Sequence, residues 1–416
     1  MIMDIELNTY LRNTAIRYTK IKERLKTQEV IRVGILVIDD KVFPYHSVIE
    51  ELAKDSRFCV YIFVVPMITK SLEWISETMQ RTFLNLKEKY ANVFCVYDFD
   101  KKEYYEISHL MDIALFCNVY DVGVHPYYRV VNLSQKVLCV YVPYGFTGML
   151  NYDFKGIILC LEYALFWRIY VENQKGLQAT LQNPNINPNN VVAVGYTKMD
   201  TITRYHKIPS KRKKVIISPH HTMTDWKELQ LSNFLTYSEF FLELPKLYPQ
   251  IDFIFRPHPL VFEVLDKNPS LWNDTKENYL KKIEAIPNMS YHNADDYLDL
   301  FVQSDALIHD CGSYIAEYLY TDNPVCYMLR KDTYQHTFSS YGFEVLSHLY
   351  LAFCKENILA FIDEVVIGGK DTLCAKRINF AKEHIRFNLS SAGAALVENL
   401  KEEIFGERGG GINLPL

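Results

Sequence analysis

The chain lacks any run of ~18 or more apolar residues, the length a membrane-crossing helix needs. Its opening, MIMDIELNTYLRNTAIRYTK, lacks the apolar centre of a secretory signal. There is no CxxC pair among its nine cysteines, so neither a zinc ribbon nor a disulfide frame is indicated. Most of those thiols fall in apolar, strand-like runs (Cys59, Cys95, Cys117, Cys139, Cys326) and read as buried and reduced. One sign of charge does not dominate: 45 basic against 50 acidic side chains leave a net charge of -5. That excludes a general nucleic-acid coat and leaves only local basic patches. Short-period repeats and low-complexity tracts are also missing; NPNINPNN (183–190) is a turn-rich loop. Together these absences predict a cytoplasmic protein.

What is present is apolar material for two cores. The 416 residues are 49% hydrophobic, too long a chain for one ordinary core. Continuous apolar runs occur at 31–39, 58–67, 93–99, 113–117, 136–145 and 191–196. Such runs suit central parallel strands covered on both faces. Helix-like segments at 70–90 and 103–111 separate some of them. After a polar, basic stretch at 197–214, the alternation restarts with strands at 214–220, 252–259, 289–293, 305–309 and 324–329. Helices are expected at 233–247, 274–284, 295–303 and 312–320, with more from 355 to 405. The fold class is therefore α/β, with two Rossmann-like parallel-sheet domains in tandem, a cleft between them and C-terminal helices. The boundaries read as a basic amphipathic helix over 1–30, a first domain over 31–200, a second with closing helices over 201–405, and a loose tail over 406–416.

In open α/β sheets ligands bind beyond the carboxyl ends of the strands. Three strands of the second half end in related chemistry. VIISPHHT places His220 and His221 after one strand, and FIFRPHP places Arg256 and His258 after the next. ALIHDCGS places Asp310, Gly312 and Ser313 after a third. Pro219, Pro257 and Pro259 end ladder pairing and hold the chain extended. The DCGS turn offers free N–H groups at a helix start, which favours an anion. Glu317 lies one helical turn beyond Ser313 and suits a ribose diol. Arg256 and the imidazoles suit a diphosphate. Taken singly, Asp310 and Ser313 read equally well as helix caps, a strand-end His as structural, Arg256 as a surface ion pair and Glu317 as a solvated side chain. The combination, in chain order at matching strand ends, reads as a nucleotide-diphosphate site.

VAVGYTKMD, ISPHHTM, FRPHPLV and DALIHDCGSYIAEYLYTDNPVCYM resemble the CDP-glycerol glycerophosphotransferase family, the teichoic-acid and capsule polymerases and primases. The likeness is strongest over about 190–330. It implies a GT-B fold, with the first domain on the acceptor side and the second holding the donor. It implies a transferase that moves a glycerol-phosphate or related polyol-phosphate unit from a CDP-alcohol to an acceptor hydroxyl and releases CMP. By resemblance His258 is catalytic or diphosphate-binding, Ser313 holds phosphate and Glu317 sits near the ribose. The donor set is then Arg256, His221, Asp310, Gly312, Ser313 and Glu317, with His220 or His258 stabilising the departing CMP.

Two departures stand out. In GYTKMD, Thr197 and Lys198 occupy places where the family carries Pro and Arg. In VYVPYGFTG, Tyr144 precedes Gly145 where the family carries His-Gly, whose His is taken as the base. A phenol titrating near 10 is a poor base, and His125 in VGVHPYYR is the first replacement candidate. Metal ligands do not cluster in the sequence, Asp310 being the one carboxylate expected beside the phosphates, and no cofactor is called for.

Partners implied are a CDP-polyol donor and a glycan or lipid-linked acceptor, without nucleic acid. In the N-terminal helix Leu11, Ala15, Tyr18, Ile21 and Leu25 form an apolar stripe, with six basic residues from Arg12 to Lys26. Such a helix either packs on the protein or lies on an anionic membrane. KRKK (211–214) reads as a solvated linker. Alternatives are a GT-B glycosyltransferase using a nucleotide sugar, an epimerase or hydrolase of that architecture, and a non-catalytic nucleotide-binding partner in capsule assembly.

Overall fold

The computed structural model describes residues 2–118, 121–224, 229–294 and 297–407. Contacts divide the chain into two units. Unit 1 comprises residues 1–147, 154–201 and 387–416; unit 2 comprises 148–153 and 202–386.

Unit 1 opens with α1 (Ile2–Leu25) and holds an all-parallel sheet of seven strands. These are β1 (Ile31–Val37), β2 (Phe58–Val64), β3 (Val93–Cys95), β4 (Ile113–Phe116), β5 (Leu138–Tyr141), β6 (Arg168–Val171) and β7 (Val191–Ala193). Their order is β3-β2-β1-β4-β5-β6-β7. β4, β5 and β6 are buried at every position, as continuous apolar strands between two helical layers must be. α1 is part of this core: Tyr18 and Leu25 are buried, and the Tyr18 hydroxyl donates to the Leu165 carbonyl at 2.7 Å. Leu11, Tyr18, Ile21 and Leu25 of the apolar stripe thus pack on their own unit, while Ala15 is exposed.

Unit 2 holds six parallel strands: β8 (Lys213–Ser218), β9 (Ile251–Phe255), β10 (Met289–Tyr291), β11 (Ala306–His309), β12 (Val325–Met328) and β13 (Tyr350–Ala352). The order is β10-β9-β8-β11-β12-β13. The helices used below are α2 (Phe234–Leu247) and the short α3 (Tyr314–Glu317), which runs into a 3-10 turn at Tyr318–Tyr320. Each fully buried Ile, Val or Phe of these strands contributes roughly 1.5–3 kcal/mol over leaving it in water.

Some elements differ from expectation. Residues 103–111 are expected to be helical; instead Glu103–Tyr104 pairs antiparallel with Tyr97–Asp98 and Ser108–Leu110 forms a 3-10 turn. β6 and β13 are strands that the apolar pattern does not announce, because each is short and adjoins helix-like sequence. The last helix, α4 (Ala392–Phe405), belongs to unit 1 rather than closing the second domain. Asp200 explains that return: its carboxylate accepts the N–H groups of Ala392 (3.1 Å) and Gly393 (2.8 Å). Gly195, at φ +107°, allows the close approach, since a Cβ there would stand 2.6 Å from the Phe387 carbonyl oxygen. The GYTKMD segment is therefore a dock for α4. All nine cysteines are free thiols. No helix among the described residues is long and apolar enough to cross a membrane.

Candidate functional site

Both sheets reverse their strand order at one place, between β1 and β4 in unit 1 and between β8 and β11 in unit 2. In such sheets that switch is where ligands bind. In unit 2 the register brings the sequence motifs to it. Ser218 pairs with His309, and Ile217 pairs with Phe255. The strand ends are level, so the residues following β8, β9 and β11 meet. The His258 N–H then donates to the Pro219 carbonyl at 2.9 Å.

The result is a cluster of three imidazoles. Ring centroids lie 4.3 Å apart for His220–His221, 4.1 Å for His221–His258 and 4.9 Å for His220–His258. One nitrogen from each falls within 4.8 Å of the others, a grouping that could hold a metal ion. This corrects the sequence-based expectation of no ligand cluster, which the separation of residues 220 and 258 conceals.

The hydrogen bonds say which ion the rings suit. The Leu260 N–H donates to His258 Nδ1 at 3.1 Å. The Thr222 N–H donates to His220 Nδ1 at 3.4 Å, and Thr222 Oγ1 lies 2.9 Å from the same nitrogen. Since Thr222 Oγ1 accepts the Leu231 N–H, its own proton is available to that Nδ1. In both rings Nδ1 is thus an acceptor, and the neutral ring carries its proton on Nε2. A metal held at Nε2 would want the reverse, with Nδ1–H donating outward. As folded, His220 and His258 present N–H donors and so fit an anion better than a cation. Burial, then the neighbouring imidazoles of His258, His221 and His309, holds His220 well below the usual histidine range. His220 is accordingly neutral at ordinary pH.

Asp310 is not a helix cap. It is fully buried, and its carboxylate accepts the N–H groups of His220 (2.5 Å) and Asn233 (2.6 Å) and the Asn233 side-chain amide (3.2 Å). It ties the loop after β8 to the start of α2. Burial pushes its pKa up to about 7. His309, just before it, repeats the turn seen at His258: the Cys311 N–H donates to its Nδ1 at 3.2 Å, leaving Nε2 buried without a partner.

Arg256 is buried behind the cluster. Its Nε donates to the Tyr314 hydroxyl (3.2 Å) and its Nη1 to the Ala294 carbonyl (2.8 Å), with His292 Nδ1 2.6 Å away. Its guanidinium lies 5.0 Å from the Tyr297 ring centre. Glu317, with 0% exposure, accepts a hydrogen bond from the Tyr297 hydroxyl. These two residues, expected to touch a diphosphate and a ribose, both stand in a buried network at α3. Ser313 is exposed at the start of α3, and its side chain makes no capping hydrogen bond to that helix. Gly312 sits where a Cβ would meet Leu150 Cδ1 at 3.0 Å.

His125 and Tyr144 belong to unit 1. His125 stacks on Tyr104 with centroids 4.0 Å apart and accepts the Tyr127 N–H at Nδ1 (3.4 Å). Burial and then Arg129 lower its pKa, which keeps it neutral and able to take a proton. The Tyr144 carbonyl accepts a hydrogen bond from the Tyr196 hydroxyl.

Residues 181–372 match the model of the family described as CDP-Glycerol:Poly(glycerophosphate) glycerophosphotransferase. The match covers 192 of the 416 residues. The motif resemblance therefore holds, and the family segment contains the whole unit 2 cluster from His220 to Glu317. No curated protein is a significant match to the chain. Among solved structures, S. aureus MnaA with UDP is 13% identical, with a TM-score of 0.59 over 92% of this chain and 100% of that one. The UDP-GlcNAc 2-epimerase from Neisseria meningitidis bound to UDP-GlcNAc is 14% identical, with a TM-score of 0.56 over 89% and 99%. The wall teichoic acid polymerase TagF is 11% identical, with a TM-score of 0.59 over 97% and 96%. These likenesses show the fold, two Rossmann-like units of the GT-B type.

Proposed function

We propose that the chain transfers a polyol-phosphate unit, glycerol phosphate by default, from a CDP-alcohol to an acceptor hydroxyl in the synthesis of a teichoic-acid-like or capsular polymer. The observation that carries this reading is the imidazole cluster at the switch point of a glycerophosphotransferase-family segment. The acceptor oxygen attacks the polyol-bearing β-phosphorus, the P–O bond to CMP breaks, and a phosphodiester forms. Such transfers are managed by positioning and charge stabilisation more than by covalent chemistry. His220, His221 and His258 hold the diphosphate, and the Ser313 hydroxyl and the turn at Gly312 approach it from the β11 side. His220 or His258, protonated once the anion is seated, stabilises CMP as it leaves. Arg256, Asp310 and Glu317 keep the strand ends and α3 in place. His125 takes the acceptor proton. Imidazoles could also hold a divalent ion, whose chemistry would be to offset phosphate charge.

The test is to mix the protein with CDP-glycerol and an acceptor, and to follow CMP release and a glycerol-phosphate mass increment. His258→Asn keeps an acceptor for the Leu260 N–H but removes the Nε2 proton. It is expected to fold normally and to lose about 10²-fold or more in turnover. Near-normal turnover would remove His258 from the mechanism.

A nucleotide-sugar enzyme is the second reading, favoured by the fold shared with the UDP-GlcNAc 2-epimerase structure. Consumption of UDP-GlcNAc without an acceptor would select an epimerase or hydrolase. Acceptor-dependent consumption of a nucleotide sugar would select a glycosyltransferase, and nucleotide binding without turnover a non-catalytic role.

A further inference from the structure

Two features of the sequence have no part in this mechanism: the basic N-terminal helix and the NPNINPNN loop. In unit 1 they line one cavity of about 330 Å³, together with the start of β6 and the end of α4. We propose that this cavity is a second ligand site, one that takes a polyhydroxylated unit bearing a single anionic group, that is, a polyol phosphate or sugar phosphate.

Arg168 is the anchor. It is 7% exposed, pairs with Glu403 at 2.5 Å, and donates from Nη1 to the Asn189 carbonyl (3.1 Å) and Asn190 Oδ1 (3.3 Å). Its Nε, however, is buried with no partner. A buried donor left unpaired is costly, so the guanidinium is held by its other partners rather than by this nitrogen. Lys22 also reaches Glu403, at 3.5 Å. Two cations against one carboxylate leave the cavity with one net positive charge, which favours an anionic group and offsets part of the roughly −1.5 to −2 charge of a phosphate ester. The Asn185 and Asn189 side-chain amides line the cavity and make no hydrogen bond among the described residues. Each offers both a donor and an acceptor, which is what neighbouring hydroxyls need. The loop is held by its own turn, with the Asn187 side chain accepting the Asn189 N–H at 3.1 Å, so the amides are presented from a fixed frame.

The cavity lies where β6 and β7 begin, at the opposite end of the sheet from the carboxyl ends used by Rossmann-like nucleotide sites. It is therefore a holding site for a unit of acceptor or product, and its assignment rests on the proposed transfer only in naming that unit.

The test titrates the full-length chain with glycerol 3-phosphate, glycerol and inorganic phosphate, by calorimetry. The wild type is expected to bind glycerol 3-phosphate more tightly than either fragment. The double variant Asn185→Ala/Asn189→Ala, at one half-buried and one exposed position, and separately Lys22→Gln, are each expected to weaken it about tenfold. CDP-glycerol binding, reported by unit 2, should be unchanged in both. Equal binding of inorganic phosphate and glycerol 3-phosphate, or variants that bind like wild type, would overturn the site. Loss of CDP-glycerol binding by the wild type, with the glycerol 3-phosphate results intact, would remove the transfer reading and leave the site standing.

Discussion

A single device recurs at the residue scale. His220, His258 and His309 follow a strand or end one, His125 precedes a 3-10 turn, and each takes the N–H of the second residue on at Nδ1. The ring imitates an Asx turn and has its tautomer fixed by the backbone. For His309 the device has a pH consequence. Burial holds its pKa at about 3, against an unfolded value near 6.5. The unfolded chain therefore takes up a proton that the folded one refuses, and stability falls as pH drops from about 6.5 towards about 3, by up to about 1.4 kcal/mol per unit. Asp310 acts oppositely. Its pKa of about 7 favours the fold below the unfolded value near 3.9, a contribution lost as pH rises through about 7. His309→Gln should then make stability rise, relative to wild type, as pH falls from about 6.5 to about 5. Denaturant titrations across that range check it; parallel curves would show that His309 ionises alike in both states.

Among the elements, the strands carried most of the legible information. β8, β9 and β11 could be read from their apolar runs, and RPHP and DCGS could be read as their polar ends because Pro and Gly stop a ladder. What could not be read was which residues meet. Bringing residue 258 against 220 depends on the pairing of Ile217 with Phe255, a long-range register with no local mark. Nor did composition reveal that Arg256 and Glu317 face Tyr314 and Tyr297 rather than solvent. β6 was hidden because RIYV continues an apolar, helix-like stretch. The α4 dock is a further element whose partner lies far off in sequence. Asp200→Ala leaves two backbone donors at the start of α4 unpaired and should cost roughly 1–3 kcal/mol. Chemical denaturation measures this, and a change under about 0.5 kcal/mol would mean the cap is dispensable.

At the scale of the molecule, the chain is two Rossmann-like units, each with its own core and its own switch point. The imidazole cluster lies in the unit that holds most of the family match. The proposed base, His125, belongs to the other unit. The proposed transfer requires the donor's phosphates to sit at the imidazole cluster. Crystals of the protein soaked with CDP-glycerol should show both phosphorus atoms beside His220, His221 and His258, with ring Nε2–H groups donating directly to phosphate oxygens. Phosphates bound elsewhere, or a metal ion seated among the three rings with the diphosphate absent, would contradict it.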